Sequence, residues 1–212
     1  MLFGLLPWLV VHHKKIQVSD ERINLKRDLH FQSNTSIDTL DYSGKGLNSG
    51  SKLVVAAYGE KVRSLEFKIP GLLNGTQTFK NPQVVFPGVL VLQGRKFETY
   101  DKAKQEFISF NEEIKQKNID LKGFPMIVVV DDSNFTAATI KNWLWVTFTR
   151  SNPSHDVYGI NSFTEYKHFG CDNLIIDARI KPHHAPVLEK NPEIEMRVDK
   201  LFEKGGSLFG VK

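Results

Sequence analysis

Five consecutive apolar residues, Met126-Ile127-Val128-Val129-Val130, lie between the break Lys122-Gly123-Phe124-Pro125 and the acidic pair Asp131-Asp132. A run without alternating polar positions has no solvent face, so it predicts a strand buried on both sides. Val89-Leu90-Val91-Leu92 is a second such run, bounded by Gly88 and Gly94 and preceded by Val84-Val85-Phe86. Between them, Tyr100, Ala103, Phe107, Phe110 and Ile114 mark one face of a helix over 99–116, with Thr99 or Asp101 as cap. A second helix is predicted from about Thr136 to Thr149, carrying Ile140, Trp143, Leu144, Val146 and Phe148, and stopped by Ser151-Asn152-Pro153. Short strands follow at Asp156–Ile160 and Leu174–Ile176. A last helix starts at Asn191-Pro192, with Ile194, Val198, Leu201 and Phe202 as its stripe, and Gly205-Gly206 ends it. Upstream, Lys52–Ala57 reads as a strand, and so does the alternating run Leu65–Ile69, closed by Pro70. This order predicts an α/β fold with a mostly parallel or mixed sheet flanked by helices.

Residues 1–50 read differently from 51–212, which we take as the α/β domain. Met1 to Val11 is uncharged and apolar, too short to span a bilayer and without the basic start or cleavage site of a signal peptide. It is expected to be an apolar arm packed on a partner or on the core, with Trp8 as an aromatic anchor; membrane association is the minor reading. So abrupt an apolar start is also that of a chain beginning part-way through a larger architecture. The irregular segment that follows contains Gly44, Gly46 and Gly50, but a phosphate-binding loop needs a strand before it and a helix after it, and a strand-like run comes next instead.

Composition narrows the function classes. With 212 residues, 41% hydrophobic and 25% charged, the chain is not that of a disordered protein. A net charge of +4 is thinly spread and gives no reason to expect a nucleic-acid partner. The single cysteine, Cys171, excludes an intramolecular disulfide and a Cys-rich zinc site, and fits a reducing, cytoplasmic compartment. It reads as a buried structural residue rather than a nucleophile paired with His168. No Gly-x-Ser-x-Gly elbow is present.

Ligands of open α/β sheets bind beyond the carboxyl ends of the strands. Asp131 and Asp132 fall at such an end, where they either bind a cation or, with Ser133, cap the next helix. Asp177 and Arg179 follow another strand and suit an ion pair; with Lys181, His183 and His184 they alternatively form an anion or carboxylate site. Arg150 closes the Trp-rich helix. Adjacent histidines without a spaced third ligand are a poor metal site. These residues form the candidate ligand rim, and no catalytic, cofactor or metal ligand is assigned.

The stretch MIVVVDDSNFTAATIKNWLWVTFTRSNPSHD resembles the C-terminal region of UbiD-type decarboxylases. The matching positions are Asp131, Asp132, Leu144, Trp145, Thr149, Arg150, Pro153 and Asp156, followed by Asp177-Ala178 and Lys190-Asn191-Pro192-Glu193-Ile194. FQSNTSIDTLDYSGKGLNSGSKLVVAA is similar to the longer, menaquinone-type members. The resemblance implies a prenylated-FMN, divalent-metal carboxy-lyase of quinone biosynthesis whose catalytic residues lie in a preceding β-barrel domain with no match here. This chain would then shape a substrate pocket and subunit contacts, with that absent half and further copies of itself as partners, and would not act alone. Two other readings stand beside it: a non-enzymatic α/β ligand-binding or assembly module, and an independent activity on the rim.

Overall fold

The computed structural model describes residues 11–12, 15–16, 20–35, 50–57, 59–166, 168–184 and 191–211. In chain order these form β1 (Val11–His12), β2 (Lys15–Ile16), β3 (Leu29–Thr35), β4 (Gly50–Val55), a 3-10 turn (Gly71–Gly75), β5 (Lys80–Phe86), β6 (Val89–Gln93) and α1 (Tyr100–Gln116). Then come β7 (Met126–Val130), α2 (Ser133–Ala138), α3 (Ile140–Thr149), α4 (Pro153–Asp156), β8 (Val157–Ile160), β9 (Phe163–Glu165), β10 (His168–Gly170), β11 (Asn173–Asp177) and α5 (Pro192–Phe202).

The two apolar runs sit side by side in a five-stranded sheet of order β5-β6-β7-β11-β8. The ladders β6/β7 and β7/β11 are parallel, and the outer ladders β5/β6 and β8/β11 are antiparallel, so the sheet is mixed. Strand period two then divides the apolar residues between two cores. Val89, Val91, Met126, Val128, Val130, Leu174 and Ile176 face one core, with Trp143 and Val146 of α3 and with Ile23, Leu25, Leu29 and Leu53. Leu90, Leu92, Ile127, Val129 and Ile175 face the other, with Ala103, Phe107, Phe110 and Ile114 of α1. The helical stripe read from the sequence is therefore the buried face of α1, and Thr99 is its N-cap, accepting from Lys102 N. A separate antiparallel pair, β3 with β4, joins residues on either side of position 50.

Three expectations need correction. Leu65–Ile69 makes no ladder: Glu66 N donates to Gly123 O and Glu66 O accepts from Gly88 N, but Phe67 is 62% exposed and no strand pairs with the segment among the described residues. The helix expected from Thr136 to Thr149 is two helices, α2 and α3. Thr139 between them is extended (φ −147°, ψ 154°), and its hydroxyl accepts from Asn142 N to start α3 afresh. Asp156 closes the short helix α4 instead of opening a strand. The arm Met1 to Val10, with Trp8, and most of the glycine-rich segment, 36–49, lie outside the described residues.

Candidate functional site

The parallel strands bring their carboxyl ends together, Gln93 beside Val130 and Asp177 beside Val129. Gly94, Asp131 and Ala178 therefore share one rim, fixed by Gly94 N to Val130 O (2.9 Å) and Ala178 N to Val129 O (2.8 Å). At its centre Asp177 and Arg179 are each 0% exposed. Arg179 Nε donates to Asp177 Oδ1 (2.8 Å) and Nη2 to Oδ2 (2.7 Å), a two-pronged contact. Its Nη1 donates to Glu106 Oε2 (2.6 Å) and to Arg95 O (3.1 Å). Phe97 and Phe107 lie under the guanidinium, their ring centres 5.6 and 5.9 Å away. Burial lowers the Arg179 pKa, but the hydrogen bonds and charges of Asp177 and Glu106 outweigh it, so the net shift is upward.

A second buried cation locks the neighbouring connections. Lys181 Nζ donates to the carbonyls of Asp177 (2.7 Å), Arg150 (2.9 Å) and Arg179 (3.2 Å), and pairs with Asp156 Oδ1 at 3.2 Å. Asp156 Oδ2 also accepts from Asn152 N (2.7 Å). Burial is the largest influence on Asp156 and overrides Lys181, pushing the carboxyl up to about 6. The Tyr158 hydroxyl is raised too, by burial first and then by the charges of Asp177 and Asp156.

The outer rim is more exposed. Asp131 Oδ2 accepts from Ile180 N (2.8 Å) and pairs with Arg150 at 3.5 Å, while Arg150 lies over the Trp145 ring at 5.0 Å. Burial lowers the Arg150 pKa, partly opposed by Asp131. Asp132 is the N-cap of α2, its Oδ1 accepting from Phe135 N at 2.9 Å. His184 Nδ1 accepts from Lys181 N (3.1 Å), and His183 and His184 meet edge to face at 4.6 Å.

The sequence-predicted rim residues thus converge, except that Asp132 turns away to cap α2. Glu106 and Phe97 were missed. Glu106 lies beside the apolar stripe of α1, three residues after Ala103; a carboxylate on the shoulder of a buried face was the available signal. Gly94 has a steric role: a Cβ there would sit 2.9 Å from both Arg179 Cδ and Val129 Cγ1, so only glycine admits the arginine stem. Chemically the arrangement is a clasp. Its donors and acceptors face one another, and no three His, Cys, Asp or Glu side chains come together as a metal site among the described residues.

Comparison with known proteins agrees with the resemblance seen in the sequence. Residues 18–57, which contain β3 and β4, match the family model of the 3-octaprenyl-4-hydroxybenzoate carboxy-lyase C-terminal domain. A 4-hydroxybenzoate decarboxylase subunit of Chlamydia pneumoniae is 30% identical over 184 residues, 86% of this chain and 29% of that protein. An uncharacterized protein of Chlamydia caviae is 28% identical over 197 residues, 92% of this chain and 31% of its own length. A third relative, from Chlamydia muridarum, is 30% identical over 186 residues, 87% of this chain and 30% of its length. The chain therefore spans between 29% and 31% of the length of these curated relatives.

Proposed function

We propose that this chain, a relative of the C-terminal portion of UbiD-type decarboxylases, serves such an enzyme as a non-catalytic part that walls the substrate pocket and carries subunit contacts. The observation that carries the reading is the saturation of the rim. Arg179 and Lys181, the two cations best placed to hold an acid, are buried and already engaged by Asp177, Glu106, Asp156 and main-chain carbonyls. A flavin phosphate would have to displace those partners, and the described donor set offers a divalent cation no three-residue cage. The rim therefore does not fit prenylated FMN or its metal, and we assign both to a β-barrel half held by a partner or by another part of the same enzyme. That cofactor, when bound there, supplies the electron sink for losing carboxylate from an aromatic or unsaturated acid, in a pathway such as quinone biosynthesis.

Exposed apolar surface supports the contact role. Helix α5 has no buried residue, and Ile194, Met196, Val198, Leu201 and Phe202 are each at least 41% exposed. Phe135, Ile140 and Trp145 form a second such surface on α2 and α3. Apolar area of this kind marks partner sites. No helix among the described residues is long and apolar enough to cross a membrane.

The test is reconstitution. The chain is expressed alone and together with the β-barrel half of such a decarboxylase and a flavin prenyltransferase, then assayed for decarboxylation of 4-hydroxybenzoate and for subunit assembly by sedimentation. Activity and co-sedimentation should need both parts. Stoichiometric flavin or decarboxylation from the chain alone would overturn the reading.

A further inference from the structure

At the opposite end of the sheet, where β7 and β11 begin, a cleft of about 480 Å³ opens between the segment around Asn24–Lys26 and the end of α1. This volume is in the range of small-molecule sites. Ile114, Ile119, Leu121 and Ile160 form its floor and Val62 stands in its wall, with Lys26, Arg63 and Lys122 around them.

Arg63 is unlike its counterparts. Four described arginines are buried or half-buried, and three of them face a carboxylate: Arg22 meets Asp20, Arg150 meets Asp131, and Arg179 meets Asp177 and Glu106. Arg63 makes no ion pair among the described residues. Its Nη2 donates to Ile23 O (2.9 Å), its Nη1 reaches Lys122 O at 3.4 Å, and its Nε is covered and has no acceptor. A guanidinium carries five N–H donors, so most of its capacity is unused. Neither acid lining the cleft contacts Arg63: Asp172 holds Lys26 (2.7 Å) and Asn161 (2.8 Å), and Asp120 accepts from Lys122 N (2.9 Å). Asp172 is the carboxylate that acts on Arg63 through space, but it makes no ion-pair contact with it, and burial lowers the Arg63 pKa more than Asp172 raises it. A partly buried guanidinium with unused N–H groups and no carboxylate in contact, over an apolar floor, is the reverse of what folding alone favours.

We propose that this cleft binds a small apolar carboxylate, its acid group on the free N–H groups of Arg63 beside Lys122 and its hydrocarbon body on the Ile114–Ile119–Ile160 floor. The site is separate from the Asp177–Arg179 rim and does not depend on the decarboxylase reading. The carboxylate is the anion of choice because the floor rewards an attached apolar group, which inorganic phosphate lacks.

Benzoate is the probe, titrated into the full 212-residue chain and followed by saturation-transfer NMR, with benzamide as its uncharged counterpart and inorganic phosphate as a bare anion. Benzoate should bind, and benzamide and phosphate at least about tenfold more weakly, as expected for loss of one charge-assisted hydrogen bond or of the apolar contact. R63Q should weaken benzoate by a similar factor. Because Arg63 also ties Ile23 to Lys122, that variant is paired with V62W, which fills the wall from an exposed position and should abolish binding without changing the melting temperature. Absence of benzoate binding up to about 20 mM, a range covering the weakest specific sites, overturns the proposal. So does benzamide or phosphate binding as well as benzoate, or benzoate binding that V62W leaves intact.

Discussion

Replacing Asp156 with asparagine asks whether burial or the neighbouring ammonium governs the charge state beside the rim. Asp156 is 1% exposed, and its carboxyl is pushed up to about 6 although Lys181 lies 3.2 Å away. An unfolded aspartate titrates near about 3.9. The folded value lies above the unfolded one. The stabilising contribution of this group is therefore fully present below about pH 4 and lost as pH rises through about 6. A separation of about two pH units corresponds to about 3 kcal/mol. Asparagine cannot titrate but can still accept from Asn152 N. On acidification from about pH 7 to about pH 4, where the unfolded aspartate is still about half ionised, the stability difference between wild type and Asp156→Asn should move by about 2 kcal/mol in favour of wild type. For a chain of this size that is about 4–8 °C in relative melting temperature. Calorimetry or urea unfolding of both proteins at closely spaced pH values measures it, and acid effects common to the two chains cancel in the difference. A difference that stays flat within about 1 kcal/mol, or that moves towards the variant, would refute the reasoning, because Lys181 rather than burial would then control the carboxyl.

Three further outcomes follow from the packing. Arg179→Lys keeps the charge but cannot grip both Asp177 oxygens while reaching Glu106, so it should lose about 3 kcal/mol and melt well below wild type; an unchanged melting temperature would count against the clasp. Gly94→Ala forces a methyl group against Arg179 and Val129 and should cost about 1–3 kcal/mol by urea titration, whereas a neutral result would mean that the arginine stem moves freely. Cys171 is buried with its thiol pushed up to about 12, so a disulfide reagent at neutral pH should label it only as the chain unfolds in urea; immediate labelling in native buffer would contradict this burial.

The parts of the fold legible in the sequence are those set by strong local periods. The MIVVV and VLVL runs have only one stable place, between two covered faces, and the stripe of α1 repeats over five apolar residues. The parts that failed depend on what lies alongside. Leu65–Ile69 has the alternation of a strand, but no strand pairs with it among the described residues. The apolar residues from 136 to 149 hide a break that rests on the single extended residue Thr139 and its hydroxyl cap. In the rim, the Asp177–Arg179 pair and the Asp132 cap are local and could be read. Glu106 is 73 residues away from Arg179, and the grip of Lys181 on three carbonyls uses main-chain groups that no side-chain pattern reports. For α5 the amphipathic stripe was legible, but amphipathy carries no information about which molecule covers it.

The position of Lys181 also bears on the order in which the chain folds. The carbonyls of Asp177 and Arg179 are local to it, but the Arg150 carbonyl at the end of α3 and the Asp156 carboxylate lie 31 and 25 residues back, and they come within reach only when β11 has zipped onto β7. Parallel pairing between strands so far apart in sequence is slow, because loop closure precedes any gain from contact. The ammonium is thus captured late, after the barrier that sets the folding rate. Substitutions of Lys181 should therefore leave the refolding limb of a chevron plot nearly unchanged and steepen the loss of native protein, making this residue a determinant of how long the folded chain persists rather than how fast it forms.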